Sequence, residues 1–184
     1  MTGARRPSCL DLTAAKDKTI PDVVAPGLRV LFAGINPGLY SAATGYHFAR
    51  PGNRFWPALH AAGFTDHVLR PEEQWQLLPL GLGITNVVPR ATASAGELSP
   101  AEIRAGGRAL TARVERLAPR WIAIVGITVY RTAFGRPGAT TGRQEQTLGG
   151  AGLWVLPNPS GLNAAYQIDR LAEEFGRLRA AATG

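Results

Sequence analysis

Cysteine is nearly absent from this 184-residue sequence, in which Cys9 is the single example. An intrachain disulfide needs two cysteines, and a zinc or iron–sulfur site built on cysteine needs more. Histidine is also rare, and the spacing of His47, His60 and His67 does not match a paired metal site. The sequence therefore predicts no metal and fits a reducing compartment such as the cytoplasm.

Lysine is confined to Lys16 and Lys18, so the chain from residue 26 onward contains none. A Schiff base forms on an amine that is desolvated in a pocket. Only these two residues or the amino terminus offer an amine, so the sequence argues against a covalent mechanism.

Long apolar runs and a signal-peptide pattern are missing as well, because Arg5, Arg6 and Pro7 lead into a mixed polar segment. We therefore expect a soluble, unexported protein with no membrane partner. The six-residue dinucleotide fingerprint and the phosphate-binding loop pattern are also absent, which disfavours a nucleotide-binding metabolic enzyme.

Acidic residues are outnumbered, since 20 lysines and arginines against 13 acidic residues leave a net charge of +7 at pH 7. Almost all of the positive charge is arginine, whose planar guanidinium pairs well with phosphate oxygens. Nucleic acid is therefore the first partner to consider. The alternative is a basic surface that binds nothing.

The alternation of apolar runs and helical patterns predicts an α/β fold. Residues 1–25 show little periodicity and are predicted to be a flexible arm before a single domain over 26–184. The pattern favours a central, mainly parallel sheet covered by helices on both faces. The predicted strands are 28–33, 82–88, 121–126 and 153–157, and the predicted helices are 53–62, 99–117, a segment through 134, and 166–182.

Two polar loops follow the first and the last predicted strand, at residues 34–38 and 158–163. Each contains a proline directly after an asparagine, and proline restricts the preceding residue to extended conformations. Asn36 and Asn158 are therefore held in place at strand ends, where open α/β sheets build their sites. Taken singly, either loop is also compatible with an ordinary turn.

The loop over residues 39–52 can line a pocket, because it combines small residues, aromatic rings and arginine. Phe48 or Tyr46 can stack on a planar base, and Arg50 and Arg54 can meet phosphates. A run of small residues after the second strand can border the same cleft. Its members include Thr92, Ala93 and Ser94.

Three segments in order, residues 34–38, 48–56 and 158–162, resemble the mismatch-specific uracil-DNA glycosylase family, which includes the thymine-DNA glycosylases. The similarity runs from about residue 26 to the last helix. It implies a three-layer α/β/α fold, a monomer without cofactor in the bacterial cytoplasm, and double-stranded DNA with G:U or related mismatches as partner. The implied reaction removes uracil, and some thymine or modified pyrimidines, opposite guanine.

The resemblance also implies individual roles. It places Asn36 where the family positions the attacking water and Phe48 where the flipped base stacks. The remaining base-pocket residues are Ile35, Gly38, Ser41 and Asn158, and the wedge that enters the duplex is Ser160, Gly161 and Leu162. Ala164 stands where better-known members have an arginine.

The two asparagine loops contain no Asp or Glu, so the expected pocket has no strong base. Asn36 can orient a water but cannot readily deprotonate it. Cleavage is therefore expected to be largely dissociative, with the base leaving as an anion held by fixed dipoles. The leading hypothesis is a monofunctional DNA glycosylase. The alternative is a non-catalytic binder of mismatched or abasic DNA that uses the same wedge.

Overall fold

The computed structural model describes residues 6–162 and 166–184. The structure contains one five-stranded sheet of order β2-β1-β3-β5-β4, in which apolar runs form every strand except the polar edge strand β4. The strands are β1 (Val30–Gly34), β2 (Leu82–Asn86), β3 (Trp121–Val125), β4 (Gly142–Leu148) and β5 (Ala151–Leu156). β2, β1, β3 and β5 are parallel, so the predicted α/β fold with a mainly parallel sheet is confirmed.

Helices cover both faces of the sheet. They are α1 (Cys9–Ala14), α2 (Leu39–Thr44), α3 (Phe55–Ala61), α4 (Pro100–Leu117), α5 (Ile127–Phe134) and α6 (Ile168–Thr183), with 3₁₀ segments at Pro71–Leu80 and Ala95–Glu97. Among the described residues, no helix is both long enough and apolar enough to span a bilayer. The four predicted helices are present, whereas α1, α2 and the 3₁₀ segments lie in stretches predicted as arm or loop.

Alternate side chains of each buried strand feed two separate hydrophobic clusters. Phe32 of β1 packs with α3 and α6 on one face, in contact with Phe55 and Phe175. Leu31 of the same strand belongs to the other cluster, with residues of α4 and α5. The apolar faces of these helices thus pack against the sheet. The ends of the strands are not covered in this way and can form a site.

The strand β4 was not predicted, because its sequence is polar and its side chains alternate between half-buried and exposed at the sheet edge. It pairs antiparallel with β5, and Leu148 faces Ala151 across a two-residue turn. Gly149 and Gly150 form this turn with φ of 55° and 86°. Glycine adopts such angles without strain, so the Gly-Gly pair was the available signal for a hairpin.

The segment before residue 26 differs from the predicted flexible arm. Val23 is fully buried and forms an antiparallel bridge with Ile84 of β2, and Ala15 is also fully buried. The backbone of residues 17 and 18 exchanges two hydrogen bonds with Ala91. Residues 15–25 therefore pack against the sheet, and their mixed polar sequence hid this because only isolated side chains are buried.

We predict that Leu110→Ala lowers the free energy of unfolding by about 2–5 kcal/mol, because it removes a fully buried side chain of α4 and leaves a cavity. The matched control is Leu162→Ala, where the side chain is 78% exposed and the expected change is within about 0.5 kcal/mol. Equilibrium denaturation with urea measures both. Equal losses in the two variants would contradict this packing.

Candidate functional site

A pocket of about 170 Å³ opens where the parallel strands end. β1 contributes Asn36 just beyond its last residue, β2 contributes Asn86, β3 contributes Val125 and β5 is followed by Asn158. β1 connects onward to β2 on one side and has β3 on the other, and such switch points leave a crevice at the carboxyl ends. The sheet topology thus brings together side chains that are far apart in sequence.

All residues predicted for the base pocket line this cavity. They are Ile35, Asn36, Gly38, Ser41, Phe48 and Asn158. The predicted border loop also reaches it, through Thr92, Ala93 and Ser94. The wedge residues Ser160, Gly161 and Leu162 lie instead on an adjoining depression, which Arg50 shares with the pocket. Their roles in binding or catalysis remain predictions.

The side chain of Asn36 has a single orientation. Its Nδ2 donates to the carbonyl oxygen of Arg90 at 2.9 Å and to Oγ1 of Thr92 at 2.7 Å. A carbonyl only accepts, and the Thr92 hydroxyl donates onward to the carbonyl of Ser94, so it accepts from Asn36. Oδ1 of Asn36 makes no hydrogen bond with the described residues. Because Asn36 lines the pocket, this oxygen can accept a hydrogen bond from a molecule in the pocket.

The loop that receives these hydrogen bonds is itself pinned. The guanidinium of Arg90 contacts Asp17 at 2.7 Å and Glu102 at 2.9 Å. Glu102 also accepts from the backbone N–H and the hydroxyl of Ser99 at the start of α4, and the first of these bonds is the main reason its pKa is lowered. A charged network therefore sets the position of the carbonyl that holds Asn36.

Phe48 occupies a strained backbone conformation, with φ of 52°. Bulky residues rarely adopt such angles, and they persist only where neighbours impose them. Here the flanking amides are held by buried side chains: His47 N–H donates to Gln74, and Ala49 N–H donates to the Ser41 hydroxyl. The Phe48 ring stacks on Phe55 at 4.0 Å between centroids, so one face is supported while the ring lines the pocket.

The loop after β5 is tied to the start of α3. Asn158 accepts from the backbone N–H of Ser160, and the carbonyl of Pro159 accepts from Arg54 N–H at 2.9 Å. At Gly161, a Cβ atom would stand 2.7 Å from the carbonyl oxygen of Gly52. No other residue fits this close approach without moving the loop, while the neighbouring Leu162 side chain remains exposed.

The guanidinium of Arg54 is engaged within the protein, and its predicted phosphate contact stays a prediction. Its guanidinium donates to the carbonyl oxygens of Tyr166 at 2.9 Å, Gly161 at 3.2 Å and Ser160 at 3.5 Å. These donors therefore tie the wedge residues Ser160 and Gly161 to Tyr166. Arg50 is exposed and makes no ion pair with the described residues, and its predicted contact with a phosphate stays a prediction. Ala164, which stands where better-known family members have an arginine, lies outside the described residues.

Several residues that line the pocket were not predicted from the sequence, among them Asn86, His47 and Ile20. Asn86 is the last residue of β2, and its side-chain amide lines the pocket. A polar residue at the end of an apolar strand was the signal that the sequence offered. His47 is buried beneath Asn86, and burial lowers its pKa. Ile20 belongs to the N-terminal segment, whose packing the sequence did not reveal.

No Asp or Glu of the described residues lines the pocket. Within residues 6–162 and 166–184, no three His, Cys, Asp or Glu side chains are grouped closely enough to hold a metal ion. The polar groups of the cavity are therefore side-chain amides, hydroxyls, a buried imidazole and one arginine.

The family model of the uracil DNA glycosylase superfamily matches residues 21–178. The chain belongs to this superfamily. Its members are DNA glycosylases, hydrolases of N-glycosyl bonds, and act on DNA. The narrower, mismatch-specific resemblance of the sequence motifs stays a prediction.

A similar fold is found in the solution NMR structure of a candidate uracil DNA glycosylase from Methanosarcina acetivorans. The TM-score is 0.57 at 20% sequence identity, and the match covers 89% of this chain and 98% of that chain. At this identity the likeness concerns the fold alone.

We predict that Arg54→Leu lowers the free energy of unfolding by about 1–3 kcal/mol, because it removes the donors of part-buried carbonyls. The matched control is Arg50→Leu, which should leave stability unchanged. If Arg50 meets one phosphate, this control should flatten the log–log salt dependence of DNA binding by about 0.9. Urea denaturation and binding at several salt concentrations measure the two effects. Equal stability losses would mean that Arg54 is not a clamp.

Proposed function

We propose that this superfamily member is a monofunctional DNA glycosylase that removes uracil opposite guanine from double-stranded DNA. The single observation that carries the proposal is the fixed amide of Asn36, whose Nδ2 is fully engaged and whose Oδ1 faces a pocket lined by Phe48. A flipped pyrimidine stacks on the aromatic ring. Its sugar then lies next to the water held by Asn36.

Asn36 Oδ1 is the acceptor for the attacking water. Because an amide cannot remove a proton at neutral pH, it contributes orientation and polarisation, not general-base catalysis. The hydrogen bonds to Arg90 and Thr92 prevent the amide from rotating, so the water sits in one place. The N-glycosidic bond breaks first and leaves a cationic sugar and an anionic base. Water then forms the new C–O bond at the cationic sugar, and the proton that it loses passes to the departed base or to solvent.

The leaving base carries the electrons of the N-glycosidic bond and develops negative charge. The side-chain amide of Asn86 and the backbone of Ile35 and Gly38 provide fixed dipoles around the position of the base. With no carboxylate among the described lining residues, the rate depends on the leaving group. Uracil and pyrimidines with electron-withdrawing substituents should therefore leave faster than thymine.

The preference for a mismatch comes from the loop after β5. Leu162 is 78% exposed next to the tied turn at Gly161, a suitable shape for an apolar wedge that fills the space of the flipped base. Opening a mismatched base pair costs less free energy than opening a Watson–Crick base pair, which favours uracil opposite guanine. Arg50 lies between the pocket and the wedge and is the candidate phosphate contact.

We expect the protein to cut a labelled duplex with one G:U pair only after alkali treatment, because hydrolysis leaves an alkali-labile abasic site. Borohydride present during turnover should trap no protein–DNA adduct. An adduct requires an amine nucleophile, and the only lysines, Lys16 and Lys18, both precede residue 26. A matched G:C duplex is the control. Tight binding without alkali-labile product would favour the alternative, a non-catalytic binder, and a trapped adduct would overturn the hydrolytic assignment.

Asn36→Ala should lower the single-turnover rate on G:U by about 10²-fold or more, because it removes the water acceptor. Duplex affinity should change little, since Asn36 contacts no phosphate in this mechanism. Gln76→Ala, which truncates an exposed amide on the 3₁₀ segment, is the matched control and should retain the full rate. Near-normal cleavage by Asn36→Ala would remove this residue from the mechanism.

A further inference from the structure

His47 joins the N-terminal segment to the floor of the pocket. Its Nε2 lies 2.9 Å from the carbonyl oxygen of Pro21, and its Nδ1 lies 3.4 Å from Nδ2 of Asn86. A carbonyl only accepts, so Nε2 carries the hydrogen. In the neutral ring Nδ1 then carries a lone pair, which accepts a hydrogen bond from Nδ2 of Asn86.

The ring is held neutral by its surroundings. Burial is the main effect and lowers the pKa of His47, opposed by the hydrogen bond to Pro21 and by the charge of Asp22. Asp22 is itself paired with Arg113 of α4. The remaining neighbours that hydrogen-bond with the His47 backbone, Gln74 and Trp56, are uncharged.

The neutral ring determines which way the Asn86 amide points. With Nδ2 turned toward His47, Oδ1 lies on the other side, beside Gly34. A Cβ atom on Gly34 would stand 2.8 Å from this oxygen and 3.2 Å from the ring of Phe48. Oδ1 has no hydrogen-bond partner among the described residues. It is therefore an acceptor presented to the pocket, next to the ring on which the base stacks.

We propose that His47 is a positioning residue that makes the site read uracil and reject cytosine, by holding Oδ1 of Asn86 toward the base. The inference rests on the proposed glycosylase function. Uracil has N–H at position 3, which donates to Oδ1, and a carbonyl at position 4, which accepts the second Nδ2 hydrogen. Cytosine has a lone pair at position 3, which would face Oδ1, and an amino group at position 4, which would face the Nδ2 hydrogen. Both contacts therefore become repulsive.

The test uses 5-fluorouracil and 5-fluorocytosine, each opposite a tetrahydrofuran residue so that base pairing does not differ. Fluorine makes both bases better leaving groups, and single-turnover rates are compared as a ratio. His47→Leu should lower the uracil-to-cytosine ratio by about tenfold or more. His47→Gln should restore the ratio, because its amide can donate to Pro21 and accept from Asn86 without titrating.

His67→Leu is the matched control, since His67 is an exposed histidine outside the pocket. In the unmodified protein, the ratio should also fall as the pH drops from neutral through the pKa of His47, because the charged ring donates from Nδ1 and draws Oδ1 away from the base. His47→Gln should show no such fall. This pH profile decides the matter even if His47→Leu does not fold.

A ratio that is the same in His47→Leu and the unmodified protein, or independent of pH in the unmodified protein, would overturn the positioning role while leaving the glycosylase activity in place. Equal slowing of both substrates in His47→Leu would likewise show a purely structural role. Absence of cleavage of either base by the unmodified protein would overturn the proposed function and this inference together.

Discussion

The hydrogen bonds from the Asn36 amide to Arg90 and Thr92 are the constraint on which the site depends. They cross from the loop after β1 to the loop after β2, so they exist only because these parallel strands are neighbours in register. Two donors engaged by two acceptors leave the amide one orientation. The free oxygen is thereby aimed at the pocket, and the ion pairs of Arg90 with Asp17 and Glu102 fix the loop that holds the amide.

Arginine is divided between structure and binding in a way that the net charge does not show. Arg90 is neutralised by Asp17 and Glu102, and Arg54 is occupied by backbone carbonyls of the wedge loop. Exposed arginines such as Arg50 are left for an anionic partner. Arginine suits both uses, because its planar fork pairs with carbonyl and carboxylate oxygens as well as with phosphate.

The pocket is built by groups that are fixed before any ligand arrives. Phe48 keeps a positive φ because Gln74 and Ser41 hold the amides on either side, and Phe55 supports its ring. Fixed dipoles and a rigid stacking surface cost no reorganisation during a reaction, which suits the proposed hydrolysis without a strong base. The Asn86 amide is held in the same way, by its contact with His47.

From the sequence alone came the parallel α/β fold, four of the five strands, and the grouping of Asn36, Phe48 and Asn158. Apolar runs and Asn-Pro loops report local burial and local stiffness, and parallel strands bring their carboxyl ends to one edge. Only the tertiary structure decided that Arg54 is a clamp, that residues 15–25 pack on the sheet, and that His47 lies under Asn86. Those facts depend on contacts between residues distant in the chain, which no local pattern encodes.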